Sequence, residues 1–478
     1  MSKSDQHFLD SFFNARSVAI VGATRNPTKL NHQLTENMVR LGYTGRLYPI
    51  NPNSTEISGL PAFASVGNVP GEIDLVVISL PFPAVSGVVR ECVEKGVKRI
   101  VIVSGGFSEA GAEGERMQQE ILNFARRNGV KILGPNTLSP INTENNLAIS
   151  FHPCRETRRG GLSFISQSGL YDYKLHWLLG CVGICKILDL GNKMDINEVD
   201  ALEYLGEDAD TRVIAMHMET IRGDGRRFME ALKNACSKKP VIILKSGRTT
   251  SGSRAAASHT GSLAQENDVV VDNLFRQAGA IRVQNLEELF GFAKAFEFLT
   301  PPNDNRTAII SISGGEGVIA TDACEQYGFR LAEFNEETRN RLKRMSPPWD
   351  MPLNPFDLGI AVQFHDRNPA HLLAALGSVL DDEGVDCLVM QSPSVMLLGM
   401  AVTVSPSAVV SLMDGAVDGF AMLKEKGKPV VLWRSTMDSM EDEFVKKLEL
   451  RRVPVFATSQ EAMKVLGALL TYQKRRSE

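Results

Sequence analysis

The octet Ala257-Ser258-His259-Thr260-Gly261-Ser262-Leu263-Ala264 sets one imidazole among small and hydroxyl-bearing residues, after the strand-like run 240–244. Such a composition predicts a mobile loop that can come close to a ligand. A histidine on such a loop can take a phosphoryl group at one place and deliver it at another. The octet by itself favours an ordinary exposed loop histidine, and the rest of the chain reverses that preference.

Two further stretches offer what such a histidine needs. Glu219 closes the apolar run 213–218, just before Thr220 and Arg222. A carboxylate there can hold one ring nitrogen and leave the other free as nucleophile; the plainer alternative is a first-turn helix carboxylate. Ser166-Gln167-Ser168-Gly169 joins an expected strand, 162–165, to a helix expected to run through Leu179. Free N–H groups and the positive dipole end of a helix start suit an anion, phosphate above all, although simple N-capping by Ser166 or Ser168 explains the same residues. Gly191-Asn192-Lys193-Met194-Asp195 is a polar turn after another strand of that region and can line the same cleft.

A different ligand site is suggested nearer the N-terminus. Gly22-Ala23-Thr24-Arg25-Asn26-Pro27 follows the apolar run 17–23 directly, where glycine permits a sharp turn and close approach to a phosphate. It is not the GxGxxG fingerprint, since Thr24 and Pro27 replace the later glycines. Ser79-Leu80-Pro81-Phe82-Pro83 and Ser104-Gly105-Gly106-Phe107-Ser108-Glu109 close two more strands with turn and small polar residues. Ligands of open α/β sheets sit at such strand ends.

The elements that must position these residues alternate along the whole chain. Strands are expected at 47–50, 75–80, 99–103 and 130–133, then 162–165, 184–188, 213–218 and 241–244, then 308–312, 387–391 and 430–433. Helices are expected at 113–127, 197–205 and 225–235. Apolar runs alternating with amphipathic stretches mean parallel sheets with crossover helices. The expected architecture is α/β: a Rossmann-like domain at 1–145 and two flavodoxin-like domains at 146–300 and 305–478, with Pro301-Pro302-Asn303-Asp304 as linker.

The 478 residues are 43% hydrophobic and 23% charged, with a net charge of −4, which argues against nucleic acid as a main partner. No apolar run reaches the ~20 residues of a membrane span, and Met1-Ser2-Lys3-Ser4-Asp5 lacks a signal-peptide core, so a cytoplasmic location is expected. The seven cysteines are scattered, with Cys181 and Cys185 the one close pair, and no disulfide framework or metal site is expected.

In order, the glycine turn, SxPxP, GGFSE, GPN, SQSG, GNKxD, the strand-end glutamate and SHTGS resemble the α subunit of the NDP-forming acyl-CoA synthetases, and the resemblance covers nearly the whole chain. The last domain resembles the extra domain of the ADP-forming group, through Ser313-Gly314-Gly315-Glu316-Gly317 and Asn354-Pro355-Phe356-Asp357. This family interconverts acyl-CoA, ADP and phosphate with a carboxylic acid, CoA and ATP, through an acyl phosphate and a phosphohistidine. The resemblance implies that His259 is the phosphohistidine, Glu219 its carboxylate partner, and Ser166, Gln167, Ser168 and Gly169 the phosphate cradle. It places Gly22, Ala23, Thr24, Ser79, Pro81 and Asn136 on the CoA side, with Lys29 and Ser104 beside them. It implies a separate ATP-grasp β subunit holding ADP or ATP with Mg, in a hetero-oligomer or a homodimer, since neither an ATP-grasp domain nor a GxxxxGK[ST] loop is visible.

Three stretches depart from the family pattern. Asn53 stands where a lysine often follows the second strand; Lys29-Leu30-Asn31 lacks the usual glycine; and Leu170-Tyr171-Asp172-Tyr173 replaces small residues after SQSG. Asp172 would repel phosphate if it faced inward, and helix geometry can turn it outward. These departures leave room for a second reading, a CoA-binding regulatory protein without ligase turnover. A nicotinamide-dependent dehydrogenase is disfavoured, because Ile50-Asn51-Pro52 lacks an acidic residue suited to a ribose.

Overall fold

The computed structural model describes residues 7–260, 267–364, 369–393 and 406–477. The chain forms two compact units, Met1–Ala293 and Lys294–Glu478. Among the described residues no helix is long and apolar enough to cross a membrane.

The first unit contains two large sheets. In one, five parallel strands run in the order Arg46–Ile50, Ser17–Val21, Leu75–Ile78, Arg99–Ile102, Lys131–Leu133. Ser17–Val21 and Leu75–Ile78 are buried throughout, as strands covered on both faces must be. The crossover helix Ala112–Arg127 places Glu113 and Glu115 in its first turn and Arg126 and Arg127 in its last, matching its dipole. The strand order reverses between Ser17–Val21 and Leu75–Ile78, which opens a crevice at Gly22 and Ser79.

The other sheet has the order Ile281–Val283, Val241–Lys245, Val213–Met218, Arg159–Ser166, Ile184–Asp189, Ile141–Asn142, Leu147–Ala148. Its first five strands are parallel and its last two form an antiparallel hairpin. That hairpin straddles the expected boundary at 145/146, because Asn142 and Asn145 accept from the N–H groups of Glu144 and Leu147 and turn the chain back there. This sheet reverses between Arg159–Ser166 and Val213–Met218, so Ser166–Gly169 and Glu219 lie at its switch point.

The second unit carries a parallel sheet ordered Arg330–Leu331, Arg306–Ser311, Cys387–Gln391, Val430–Trp433, Val455–Phe456, with Phe356–Asp357 also paired to Arg306–Ser311. The division between units falls inside the helix Leu286–Phe298, ahead of the expected linker at Pro301. Within the second unit, Lys294 Nζ binds Glu449 Oε1 at 2.5 Å and Val455 O at 2.6 Å, and Glu297 pairs with Arg452.

Two expectations are corrected. The segment after SQSG is not one α-helix. It is a 3₁₀ turn, Gly169–Lys174, then a single α turn, Leu175–Trp177, then a π turn, Leu178–Val182. Adjacent residues are tied inward here by separate bonds: Tyr171 donates to Leu138 O, and Asp172 binds Ser150 and His152. The histidine octet is also not wholly a loop, since the helix Thr250–Thr260 includes His259 in its last turn. Three consecutive alanines, Ala255 to Ala257, favour that helix. Gly261 to Ala264 lie outside the described residues.

The two crevices of the first unit are joined at Gly191, in the left-handed region at φ 54°. A Cβ there would stand 2.1 Å from Pro135 O. Gly191→Ala is therefore expected to destabilise the protein by about 3 kcal/mol or more, combining backbone strain with a backbone clash. Gly223→Ala, at φ 95° with no heavy atom near the added methyl group, is expected to cost only about 1 kcal/mol. Denaturant midpoints of the two variants check this, and equal losses would contradict it.

Candidate functional site

The glycine turn is built by side chains reaching up from below. Gly22, at φ 86°, leaves no room for a Cβ, which would sit 2.4 Å from Ser79 O. Asn31 Nδ2 donates to Gly22 O at 2.7 Å, Asn51 Nδ2 to Ala23 O at 2.8 Å, and His32 Nδ1 lies 2.9 Å from Thr24 O. Neighbouring strand ends are tied to one another: the Ser104 hydroxyl donates to Leu80 O, and Asn136 N donates to Ser104 O at 3.0 Å. Gly22, Ala23, Thr24, Ser79, Pro81, Ser104 and Asn136 thus come to one sheet edge. Lys29 and Asn53 are exposed, and Asn53 N is bound to Asn51 Oδ1 at 2.9 Å.

At the switch point of the second sheet the four cradle residues divide. Ser168 and Gly169 reach the surface, while Ser166 and Gln167 are buried. Ser166 Oγ bonds within the turn, accepting from Ser168 N at 3.3 Å. Gln167 faces inward: its Oε1 accepts from Glu219 N at 2.8 Å, Thr220 N at 3.1 Å and Lys193 Nζ at 3.1 Å. One buried amide oxygen thereby binds the Ser166–Gly169 turn to the loop that carries Glu219. The Glu219 carbonyl accepts from Lys245 Nζ at 2.6 Å, and Lys245 also donates to Ser246 O.

The helix Thr250–Thr260 comes to the same place. A Cβ on Gly247 would stand 3.5 Å from Ala256 Cβ and 3.7 Å from Glu219 O. His259 follows Ala256 by three residues, about one turn, along the backbone of the same helix. Cα atoms of this helix also come within 8 Å of those of Ser108–Ala110, in the GGFSE loop.

A continuous network ties the two crevices together. Glu109 accepts from Gly106 N at 2.6 Å and, through its other oxygen, from Asn192 Nδ2 at 2.5 Å. Asn192 N and Met194 N donate to Pro135 O and Gly134 O at 2.9 and 3.0 Å. Arg222 Nη1 donates to Asn192 O at 2.6 Å, and Arg222 N donates to Glu198. Lys193 Nζ lies 3.0 Å from Glu198 Oε2, with both side chains almost fully buried. Asp189 accepts from Leu138 N and Gly191 N, and burial pushes its carboxyl up to about 7 against the pull of those donors.

Asp172 is buried rather than turned outward. It accepts from Ser150 Oγ at 3.0 Å and pairs with His152 Nδ1 at 2.5 Å. Burial raises its carboxyl above the usual range, with His152 opposing. Its charge is answered within its own surroundings. Among the described residues no group of three or more His, Cys, Asp or Glu side chains could hold a metal ion, and all seven cysteines are free.

Lys245, Glu198, Asn31, His32 and Asn51 hold these loops as well, in roles the sequence did not assign to them. Lys245 carries a visible signal, a charge set directly after the four apolar residues Val241 to Leu244 in a buried strand. Glu198 carries only the appearance of a first-turn helix carboxylate beside its cap Asn197.

Comparison with known proteins agrees with this arrangement. Residues 16–142 match a CoA binding domain family, and residues 159–296 a succinyl-CoA ligase like flavodoxin domain family. The chain is 34% identical over 477 residues to the acetate–CoA ligase (ADP-forming) I subunit alpha of Pyrococcus furiosus, covering 98% of this chain and 99% of that one. It is 34% identical to the acetate–CoA ligase (ADP-forming) II of Archaeoglobus fulgidus, covering 98% of this chain and 67% of that protein. A solved structure of the dinucleotide forming acetyl-coenzyme A synthetase 1 of Ca. Korarchaeum cryptofilum, in complex with phosphate and ADP, superimposes with a TM-score of 0.83. Identity there is 30%, over 99% of this chain and 98% of that one. With ligases matched over nearly the whole chain, a regulatory protein without turnover is not favoured, and the chain belongs to the NDP-forming acyl-CoA synthetases, with the ADP-forming acid–CoA ligases as its relatives.

Proposed function

We propose that this chain is the α subunit of an ADP-forming acid–CoA ligase, with His259 carrying a phosphoryl group from the acyl half-reaction to a nucleotide on a separate ATP-grasp β subunit. The observation that carries the reading is convergence: Glu219, the Ser166–Gly169 turn, the His259 helix and the GGFSE loop come from separate parts of the chain and meet in one region.

In this reading CoA lies at the carboxyl edge of the first sheet, around Gly22, Ala23, Thr24, Lys29, Ser79, Pro81, Ser104 and Asn136. A phosphate oxygen attacks the acyl carbon, the carbon–sulfur bond breaks, and CoA leaves as thiolate, giving an acyl phosphate. Ser166 and Gln167 form the inner part of the phosphate turn, and Ser168 and Gly169 present it at the surface. Such positioning and stabilisation of oxyanion charge is most of what phosphoryl transfer requires. An imidazole nitrogen of His259 then attacks phosphorus and the carboxylate departs. The Glu219 carboxylate holds the other ring nitrogen and steadies the cation that forms. A terminal oxygen of ADP finally takes the phosphoryl group as the nitrogen–phosphorus bond breaks. Mg would accompany the nucleotide on the partner. The near end-to-end match to a protein named as an α subunit supports a two-chain enzyme.

Purified alone, the protein is expected to bind CoA and to show no ATP-dependent thioester synthesis. Adding its ATP-grasp partner is expected to restore synthesis, and Glu219→Gln should then slow turnover while leaving CoA affinity unchanged. Full synthesis by this chain alone, or none with a folded partner, would overturn the reading. Asn53→Lys is expected to tighten CoA binding about tenfold or more, as one charge-assisted contact contributes about 1.5–3 kcal/mol. A calorimetric titration without gain would place the CoA phosphates away from that position.

A further inference from the structure

Lys193 is an expensive residue where it stands. Its side chain is 3% exposed, and its backbone adopts φ 53°, in the left-handed region that favours glycine. Its ammonium is answered by the Glu198 carboxylate, 1% exposed, at 3.0 Å. A buried ion pair is a weak source of stability, because desolvating two charges offsets most of their attraction. Backbone strain makes the arrangement costlier still. Stability alone gives little reason for this lysine.

Its remaining bonds give a better one. Lys193 Nζ donates to Gln167 Oε1 at 3.1 Å and to Thr220 O at 2.6 Å. Gln167 is the second residue of the phosphate turn, and Thr220 adjoins Glu219. The same Gln167 oxygen accepts from Glu219 N, so amide and ammonium together clamp the two loops on either side of the switch point. Glu198 completes the clamp from below, where its other oxygen takes Arg222 N, two residues beyond Thr220. The shorter of these contacts to the two loops go to backbone or to the Gln167 amide, so the clamp acts on where the loops stand.

We infer that Lys193, held by Glu198, is a positioning residue for phosphoryl transfer: it sets the separation between the phosphate turn and the carboxylate that orients the histidine. The inference rests on the phosphohistidine reading and adds to it a residue that does not itself touch the phosphoryl group. Lysine suits the task because one ammonium can donate to an amide oxygen and a carbonyl while its charge faces a carboxylate.

The test uses the full chain and radiolabelled acetyl phosphate, which on the phosphohistidine reading phosphorylates the protein without the nucleotide partner. Lys193→Met alone would strand the Glu198 charge and threaten folding. The paired variant Lys193→Met/Glu198→Gln removes both charges and keeps an acceptor for Arg222 N. Labelling of this folded variant is expected to be at least tenfold slower than that of the parent, with CoA affinity within twofold of the parent's. If the lysine acts through Glu219, adding Glu219→Gln to the paired variant should slow labelling less than twofold further, although alone it slows the parent more. Such non-additivity marks residues acting as one unit, which a merely structural role would not produce. Labelling of the paired variant within twofold of the parent, or full multiplication of the two effects, would overturn the positioning role. A parent chain that takes no label would overturn the phosphohistidine reading itself, and this inference with it.

Discussion

The turn Gly191–Met194 is the constraint on which the rest of the first unit depends. Its backbone donates to Gly134 O and Pro135 O, at the edge of the first sheet. Its Asn192 side chain donates to Glu109, in a loop of that same sheet. Its Lys193 side chain enters the second sheet's crevice and binds Gln167 and Thr220. Four consecutive residues therefore tie the strand ends of the two sheets together. A family that passes an acyl group from a thioester to phosphate needs its CoA and phosphate sites adjacent, and in the proposed reading these backbone hydrogen bonds impose that adjacency.

Charge is arranged in the same spirit. Two buried lysines near Glu219, Lys193 and Lys245, direct their ammonium groups to carbonyl and amide oxygens of the loops around it. Their donors are taken up by the protein, and the Lys193 charge is met by Glu198. The surface of the turn is left to Ser168 and Gly169. Asp172, which stands in a stretch that departs from the family pattern, is paired with His152 and Ser150, so its charge is met locally.

Much of this was legible in the sequence, and the failures have physical causes. Long buried strands such as Val213–Met218, Cys387–Gln391 and Val430–Trp433 stand out as apolar runs between turn residues. Ile141–Asn142, Arg330–Leu331 and Phe356–Asp357 are two residues each, too short to display a period. The His259 octet looks like a loop by its serines and glycine, yet the alanines before it extend the helix through Thr260. Gln167 was legible as part of a phosphate motif, but not as a brace, because its inward direction is set by Glu219 and Thr220, more than fifty residues away. Glu198 looks like a helix cap in sequence and becomes half of a buried ion pair only in three dimensions. Motif residues were visible as a set; the side chains that hold them were not.

The central claim is that a phosphoryl group rests covalently on His259. Incubating the protein with acetyl phosphate, digesting it at alkaline pH and mapping the modified peptide by mass spectrometry tests this most directly. The account predicts one acid-labile, base-stable phosphate, located on His259 and absent from His259→Ala. The same label at another residue, or its persistence in His259→Ala, would contradict it.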